Sequence, residues 1–386
     1  MNFDEGPELQ MLREAVRGVA DGFGHAYFAE CTRIDTRTDA LWQAVADLGF
    51  LAVHLPEAYG GGGGGITELT VVCEELAAAG CPLLLILVSA AICAELVAKF
   101  GTDEQCRTWL PPLATGTKMA FAITEPDAGS NSHHLTTTAT RDGDSFRLRG
   151  TKTFISGVDE SAAILVVART GTHDDGDRAR LSLFIVDADA PGLTRTLIPV
   201  EIRAPEKQYT LFFDDVQVGA DRLLGEEDEG LRQVFVGLNP ERIMSAAICN
   251  GIGRYALDRA TTYAKDREVW GVPIAQHQGI AHPLAEAKID VELARLMMYK
   301  AAWAHDEFGG GAVAGEAANM AKLASADAGL AALDTAIQTH GGNGMASEYG
   351  LADLWGLVRL LRIAPISREM ILNFVAQQSL GLPKSY

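Results

Sequence analysis

The chain has 386 residues, enough for two or three domains, and its 48% hydrophobic and 22% charged residues suit a globular protein rather than a disordered one. A formal net charge of −19 argues against nucleic acid as a partner, because duplex binding depends on neutralising phosphates with Lys and Arg. It leaves room for a phosphate-bearing cofactor, which needs only a few local donors; otherwise it reads as an acidic, solubilising surface.

The start of the chain, with Asp4, Glu5 and Glu8, is unlike a signal or transit peptide. From 1 to about 118 the periodicity is helical: Leu41, Val45 and Leu48 are expected on one face, and Thr67-Glu68 opens an Ala- and Leu-rich run to Ala79. Gly60 to Gly65 interrupts it. A glycine run has a high entropic cost in a helix, so a flexible loop is expected there, and no Lys-Ser/Thr follows as a P-loop would require. The apolar stretch from Cys81 to Ala94 is too short to span a bilayer and predicts a buried helix. With no membrane span expected, the cytoplasm is the expected compartment. Cys31, Cys73, Cys81, Cys93, Cys106 and Cys249 have no ligand-like spacing and fit reduced, buried thiols. His133-His134 are adjacent on a loop and are expected at the surface, so no metal site is predicted.

From about 119 to 228 the pattern changes to strands. Phe146-Arg-Leu148 alternates, while Ile164 to Ala168, Leu183 to Val186 and Tyr209 to Val218 are strand-forming runs. Arg141-Asp-Gly-Asp144 and Thr172-His-Asp-Asp-Gly176 are predicted turns. No helix-length pattern separates the strands, which predicts an antiparallel barrel or sandwich and speaks against a Rossmann domain. From about 229 to 386 helices return. Ile248, Ile252 and Tyr255 share one face, Ile289, Leu293, Leu296 and Met297 share another, and Gly251-Ile-Gly253 marks a close-packing site. The predicted class is α+β: a helical domain (1–118), a β domain (119–228) and a helical bundle (229–386).

Phe121-Ala-Ile-Thr-Glu-Pro-Asp-Ala-Gly-Ser130 and Gly150-Thr-Lys-Thr-Phe-Ile-Ser-Gly157 resemble the two flavin-binding segments of acyl-CoA dehydrogenases. The likeness extends through Leu55-Pro-Glu-Ala-Tyr-Gly-Gly61, Asp266-Arg-Glu-Val-Trp-Gly271, His277-Gln278 and Gln338-Thr-His-Gly-Gly-Asn-Gly344, covering nearly the whole chain in order. It implies FAD as cofactor. Phe121, Ile123, Thr124, Gly129, Ser130, Phe154, Ile155 and Ser156 would lie at the flavin, with Phe154 over a ring face. Ser130 would also help hold the thioester. Arg267, Trp270, Gln278, Gln338, Gly341 and Gly342 would reach the FAD of a neighbouring subunit, implying a homodimer or homotetramer. Ser367 and Glu369 are further expected cofactor contacts. Taken alone, the Pro126–Gly129 segment would be a plain turn, and Arg267 an ordinary helix-end arginine.

Oxidising the Cα–Cβ bond of a thioester requires a carboxylate for the α proton and donors for the developing enolate oxygen. Most of the family carries this base late in the C-terminal domain. Here Arg362-Ile-Ala-Pro-Ile-Ser-Arg-Glu369 puts Pro365 at that place. Val236-Gly-Leu-Asn-Pro-Glu-Arg242 resembles the variant found in isovaleryl-CoA and long-chain acyl-CoA dehydrogenases, which makes Glu241 the expected base, with Asn239, Arg242 and Ile366 as substrate contacts. The plainer account of Glu241 is a first-turn helix acid, with Asn239 as cap and Pro240 at the first helical position. Pro365 also lacks the N–H that would serve as oxyanion donor, a loss of ~3 kcal/mol unless Ile366 supplies the amide instead.

The expected reaction is dehydrogenation of an acyl-CoA to the trans-2-enoyl thioester within fatty acid metabolism, passing electrons to an electron-transfer flavoprotein. The alternatives are a carrier-protein thioester as substrate, another flavin reaction such as N-oxygenation, or a binding subunit with impaired chemistry.

Overall fold

The computed structural model describes residues 5–173 and 178–384. Asp4 and residues 174–176 of one predicted turn lie outside them. The N-terminal helices are α1 (Pro7–Arg33), α2 (Asp39–Asp47), α3 (Ile66–Ala78), α4 (Glu95–Phe100) and α5 (Asp103–Ala114), with a π-helical segment, Ile86–Ala94, leading directly into α4. The buried helix expected from Cys81 to Ala94 is present only over Ile86–Ala94, wound wider than an α-helix, and Cys81–Leu84 precede it outside any helix.

The strands are β1 (Met119–Ala122), β2 (Thr138–Asp142), β3 (Ser145–Ser156), β4 (Ala163–Thr172), β5 (Ala179–Asp187), β6 (Leu193–Ile198), β7 (Gln208–Gly219) and β8 (Leu223–Leu224). Their order is β6-β7-β3-β2-β4-β5-β8, with β1 beside β4. The pairings are antiparallel except β1–β4 and β2–β4, which run parallel. That departs from the all-antiparallel expectation because the β2–β3 hairpin itself serves as the crossover from β1 to β4. Alternation along β4 explains the placement of the sheet. Leu165 and Val167 pack on the helical domain with Ile92 and Leu110, while Ile164, Val166 and Ala168 fill the sheet's own core with Phe146 and Phe184.

The bundle consists of α6 (Gly230–Asp266), α7 (Gln278–Phe308) and α8 (Ala312–His340), followed by short helical turns. Small residues let these helices approach closely. A Cβ on Gly251 would come within 2.5 Å of Ala77 Cβ and of the Glu74 carbonyl on α3, and one on Gly329 within 2.4 Å of the Cys249 carbonyl.

Three packing expectations are corrected. Leu48 terminates α2 and is exposed, so only Leu41 and Val45 face the core. Ile289, Leu293 and Leu296 are 58%, 60% and 54% exposed. The core stripe of α7 is Ala287, Val291, Ala294, Met298, Ala301 and Ala302, because small side chains suit the close helix contacts and the larger ones are turned outward. The Gly60–Gly65 loop is not loose: the amides of Gly61, Gly62, Gly63 and Gly64 donate to the carbonyls of Pro56, Ala52, Leu55 and Val53. A Cβ on Gly61 would lie 2.1 Å from the Leu55 oxygen, so the run folds the backbone against itself rather than providing slack.

Gly251→Ala should cost about 1–3 kcal/mol by overpacking the α3–α6 contact. Gly18→Ala in α1, with nothing within 4 Å of an added Cβ, should be neutral or stabilising. Urea unfolding midpoints test the pair, and equal effects would contradict the packing account.

Candidate active site

β1 delivers Phe121, which is buried, and then Ile123 and Thr124, both half-buried. The Thr124 carbonyl accepts from the Thr153 amide at 2.9 Å, so the two flavin-like segments lie side by side. A buried ion pair fixes them. Lys152 Nζ lies 2.9 Å from Glu125 Oε1 and donates to the Ile123 carbonyl at 2.9 Å, while the same carboxylate accepts from the amides of Thr136 and Thr137. Burial raises the Glu125 pKa, but the Lys152 charge and these hydrogen bonds outweigh it and hold the carboxyl at about 2.

Between Lys152 and Ile155 the β3–β7 register slips, and Phe154 takes φ +56° with its ring 61% exposed. Ile155 has its side chain in the sheet core, so any outward contact it makes is through its backbone. Ser156 Oγ donates to Gln208 Oε1 at 3.0 Å. Gly129 and Ser130 are exposed on the loop after Pro126.

Glu241 is not a first-turn residue. Helix α6 starts at Gly230, so Pro240 and Glu241 lie several turns inside it and Asn239 caps nothing. Instead Asn239 Nδ2 donates to the Gly310 carbonyl at 3.1 Å, and its Oδ1 accepts from Arg242 Nη1 at 2.8 Å. Tertiary packing carries the helix through Pro240 despite the lost main-chain bond. One turn earlier, a Cβ on Gly237 would lie 2.8 Å from Leu96 Cγ, so α6 and α4 are in direct contact.

Glu241 as a residue is half-buried, but its Oε2 is sealed from solvent and accepts no hydrogen bond among the described residues. Burial pushes its carboxyl up to about 8 against the opposing pull of the Arg242 and Lys322 charges. Buried Arg242 has an unpartnered Nε, and burial draws its pKa down while Glu241 raises it. Cys93 also senses this site. Burial first, and the Glu241 charge second, push its thiol well up, and its Sγ donates to the Ala120 carbonyl on β1 at 3.4 Å. Cys93 therefore stands within electrostatic reach of Glu241 and in contact with the strand that opens the first flavin-like segment.

Lys322 of α8 interacts electrostatically with Glu241 and donates to the Ile366 carbonyl at 2.6 Å. Lys322 thereby ties the loop carrying Pro365 to α8. The Ile366 amide has no acceptor among the described residues. Ser367 is engaged as an N-cap, accepting from the Met370 amide at 3.3 Å, and Glu369 is exposed.

Arg267, Trp270, Gln278, Gln338, Gly341 and Gly342 gather at one end of the bundle and are all exposed, Trp270 to 88%. Tyr263 links them: its carbonyl accepts the Arg267 amide, its ring stacks on His340 with centroids 4.2 Å apart, and its hydroxyl accepts from Asn343. No hydrogen bond, ion pair or ring contact among the described residues joins this cluster to residues 121–130 or 154–156. Sequence reasoning missed Glu125, Lys152, Cys93 and Lys322. The available signal for Lys322 was a single charge on the Ala317, Ala318, Ala321, Ser325 stripe of α8. Among the described residues no His, Cys, Asp and Glu group could hold a metal, His133 and His134 are exposed, and no helix is long and apolar enough to cross a membrane.

Three family models match: acyl-CoA dehydrogenase N-terminal domain over residues 6–117, middle domain over 120–216 and C-terminal domain over 228–380. Acyl-CoA dehydrogenase FadE12 of Mycobacterium tuberculosis is 54% identical, over 100% of this chain and 99% of its own. Butyryl-CoA dehydrogenase from Megasphaera elsdenii superposes with TM-score 0.91 at 28% identity, covering 98% of this chain and 100% of its own. A glutaryl-CoA dehydrogenase from Mycobacterium smegmatis in complex with FADH2 gives TM-score 0.90 at 25% identity, covering 99% and 97%.

Lys152→Met should cost about 3–5 kcal/mol by leaving the Glu125 carboxylate buried without its cation. The Glu125 pKa is depressed in the fold, so its share of stability is present above about 4.5 and lost as pH falls toward about 2. Acid unfolding of the wild type should therefore be steep over that window. A flat curve there would contradict the assignment.

Proposed function

The chain belongs to the acyl-CoA dehydrogenase family, a family of FAD-dependent oxidoreductases, and from that premise we propose that it dehydrogenates an acyl-CoA to the trans-2-enoyl thioester with Glu241 as the base that takes the α proton. The observation that carries this reading is the Glu241 carboxylate, whose Oε2 is buried without a hydrogen-bond partner among the described residues, beside buried Arg242 on α6. A carboxylate freed of water is a stronger proton acceptor than one in solution, and a pKa near the working pH suits a general base.

The donor set fits a flavin. Phe121, Ile123, Thr124, Gly129, Ser130, the backbone at Ile155, and Ser156 would hold it, and the Phe154 ring, turned outward by the bulge, would cover a ring face. Ser367 and Glu369 are proposed as further contacts. FAD, when bound, supplies the acceptor for the β hydride. The chain's own part is to keep water from Glu241 and to hold the thioester. Arg242, Asn239 and Ser130 are proposed to line the substrate path, and the Ile366 amide to supply the oxyanion donor that Pro365 lacks.

The exposed cluster of Arg267, Trp270, Gln278, Gln338, Gly341 and Gly342 supports reaching the cofactor of a second copy, and the outward Ile289, Leu293 and Leu296 offer an apolar face for assembly. We place the divisions between functional units near 118 and 228, the protein in the cytoplasm, and an electron-transfer flavoprotein as acceptor.

Glu241→Gln should retain FAD yet lower flavin bleaching by acyl-CoA thioesters about 10²–10⁴-fold under anaerobic conditions. In the wild type, kcat/KM should rise with pH and level off above about 8, because only the ionised carboxylate accepts the proton. Unchanged bleaching in E241Q would remove Glu241 from the reaction. Failure of any acyl-CoA to bleach the wild type, combined with turnover of a carrier-protein thioester, would move the substrate assignment.

A further inference from the structure

Building on the Glu241 reading, we infer that Lys322 is a positioning residue: its ammonium clamps the Ile366 carbonyl and so presents the peptide that follows Pro365 to the site holding Glu241.

Lys322 is 1% exposed, on the Ala-rich face with which α8 packs against α6. An ammonium in such a place needs acceptors, because burial without them is costly. Among the described residues its ammonium donates to the Ile366 carbonyl at 2.6 Å. The charged and titratable groups it senses are Glu241, Arg242 and Cys249 on α6 and Asp327 on its own helix. Asp327 is already committed, accepting from Arg362 Nε at 2.6 Å and from Arg368 Nε at 3.2 Å. The loop carrying Pro365 is thus held at both ends by Asp327 and at its centre by Lys322. Two side chains of one helix staple the segment whose backbone must stand in for the missing proline amide.

The arrangement has a consequence beyond stability. A hydrogen bond that only packed α8 against this loop could be replaced by an apolar contact at little cost. A lysine here does two further things. It fixes the residue whose amide has no acceptor among the described residues, and it sets a positive charge beside the base. Removing it should loosen the oxyanion donor and let the Glu241 proton bind more tightly.

The experiment uses the FAD-loaded enzyme with K322M and K322R, and with E241Q in parallel. Flavin content and thermal midpoint establish that each variant is folded. K322M should lose about 10- to 100-fold in kcat with a much smaller change in KM, as misplacement of an otherwise intact site predicts. Its kcat/KM profile should also move to higher pH, because a cation that favours the ionised base is gone. K322R, which keeps the charge, should keep the pH profile and recover part of kcat. If K322M does not fold with its flavin, K322Q carries the same two readouts and should still show the shifted profile. A folded neutral variant with unchanged kcat and unchanged pH profile would overturn the inference. E241Q separates the two levels: turnover in E241Q defeats the base assignment itself, whereas an inactive E241Q beside an unaffected K322M defeats only the role of Lys322.

Discussion

A carboxylate draws a weakly acidic proton from a thioester far better when water is kept from it, and packing seals one oxygen of Glu241, the proposed base, from solvent. Glu241 sits several turns inside α6, where Gly237 brings the helix against α4 and the small residues of α8 let a second helix close the other side. The resulting desolvation outweighs the nearby Arg242 and Lys322 charges, leaving the carboxyl near 8. Were the helices held apart by larger side chains, water would reach the oxygen and the pKa would fall toward its ordinary value. The desolvation of the proposed base is a product of the bundle's small residues as much as of its own chemistry.

The β domain answers a different demand. A flat cofactor needs rigid backbone donors, and the Lys152–Glu125 pair fastens the two segments that would provide them. The bulge at Phe154 frees one aromatic ring from the sheet core while Ile155 stays inside it. The π-helical segment Ile86–Ala94 bridges sheet and bundle: its Cys93 donates to the Ala120 carbonyl on β1 and senses the charge of Glu241 on α6.

Much of this was legible in the sequence. The switch from helical period to strand runs and back marks the three zones, and the structure joins residues 121–130 to 150–157 through the Thr153–Thr124 main-chain bond. The local chemistry of Asn239-Pro-Glu241 suggested a helix start instead, because proline suits the first helical position; tertiary packing overrode that preference and carried the helix through. Ile289, Leu293 and Leu296 share a face, as their spacing implied, but hydrophobicity alone does not say whether a face meets the core or a partner. The six glycines looked slack, since composition records entropy and not the backbone contacts that remove it. A lone charge on the alanine-rich stripe of α8 marks Lys322, but its partner is the main-chain carbonyl of Ile366, which no residue type advertises.

The central claim is that Glu241 is a desolvated carboxyl that titrates near neutral pH, and difference infrared spectroscopy tests it without turnover. A pH titration of the wild type against E241Q should show a protonated-carboxyl band that disappears around pH 8 in the wild type and is missing from E241Q. If the two proteins give the same spectra across that range, or if the Glu241 band is already gone by pH 5, the buried-base account is contradicted.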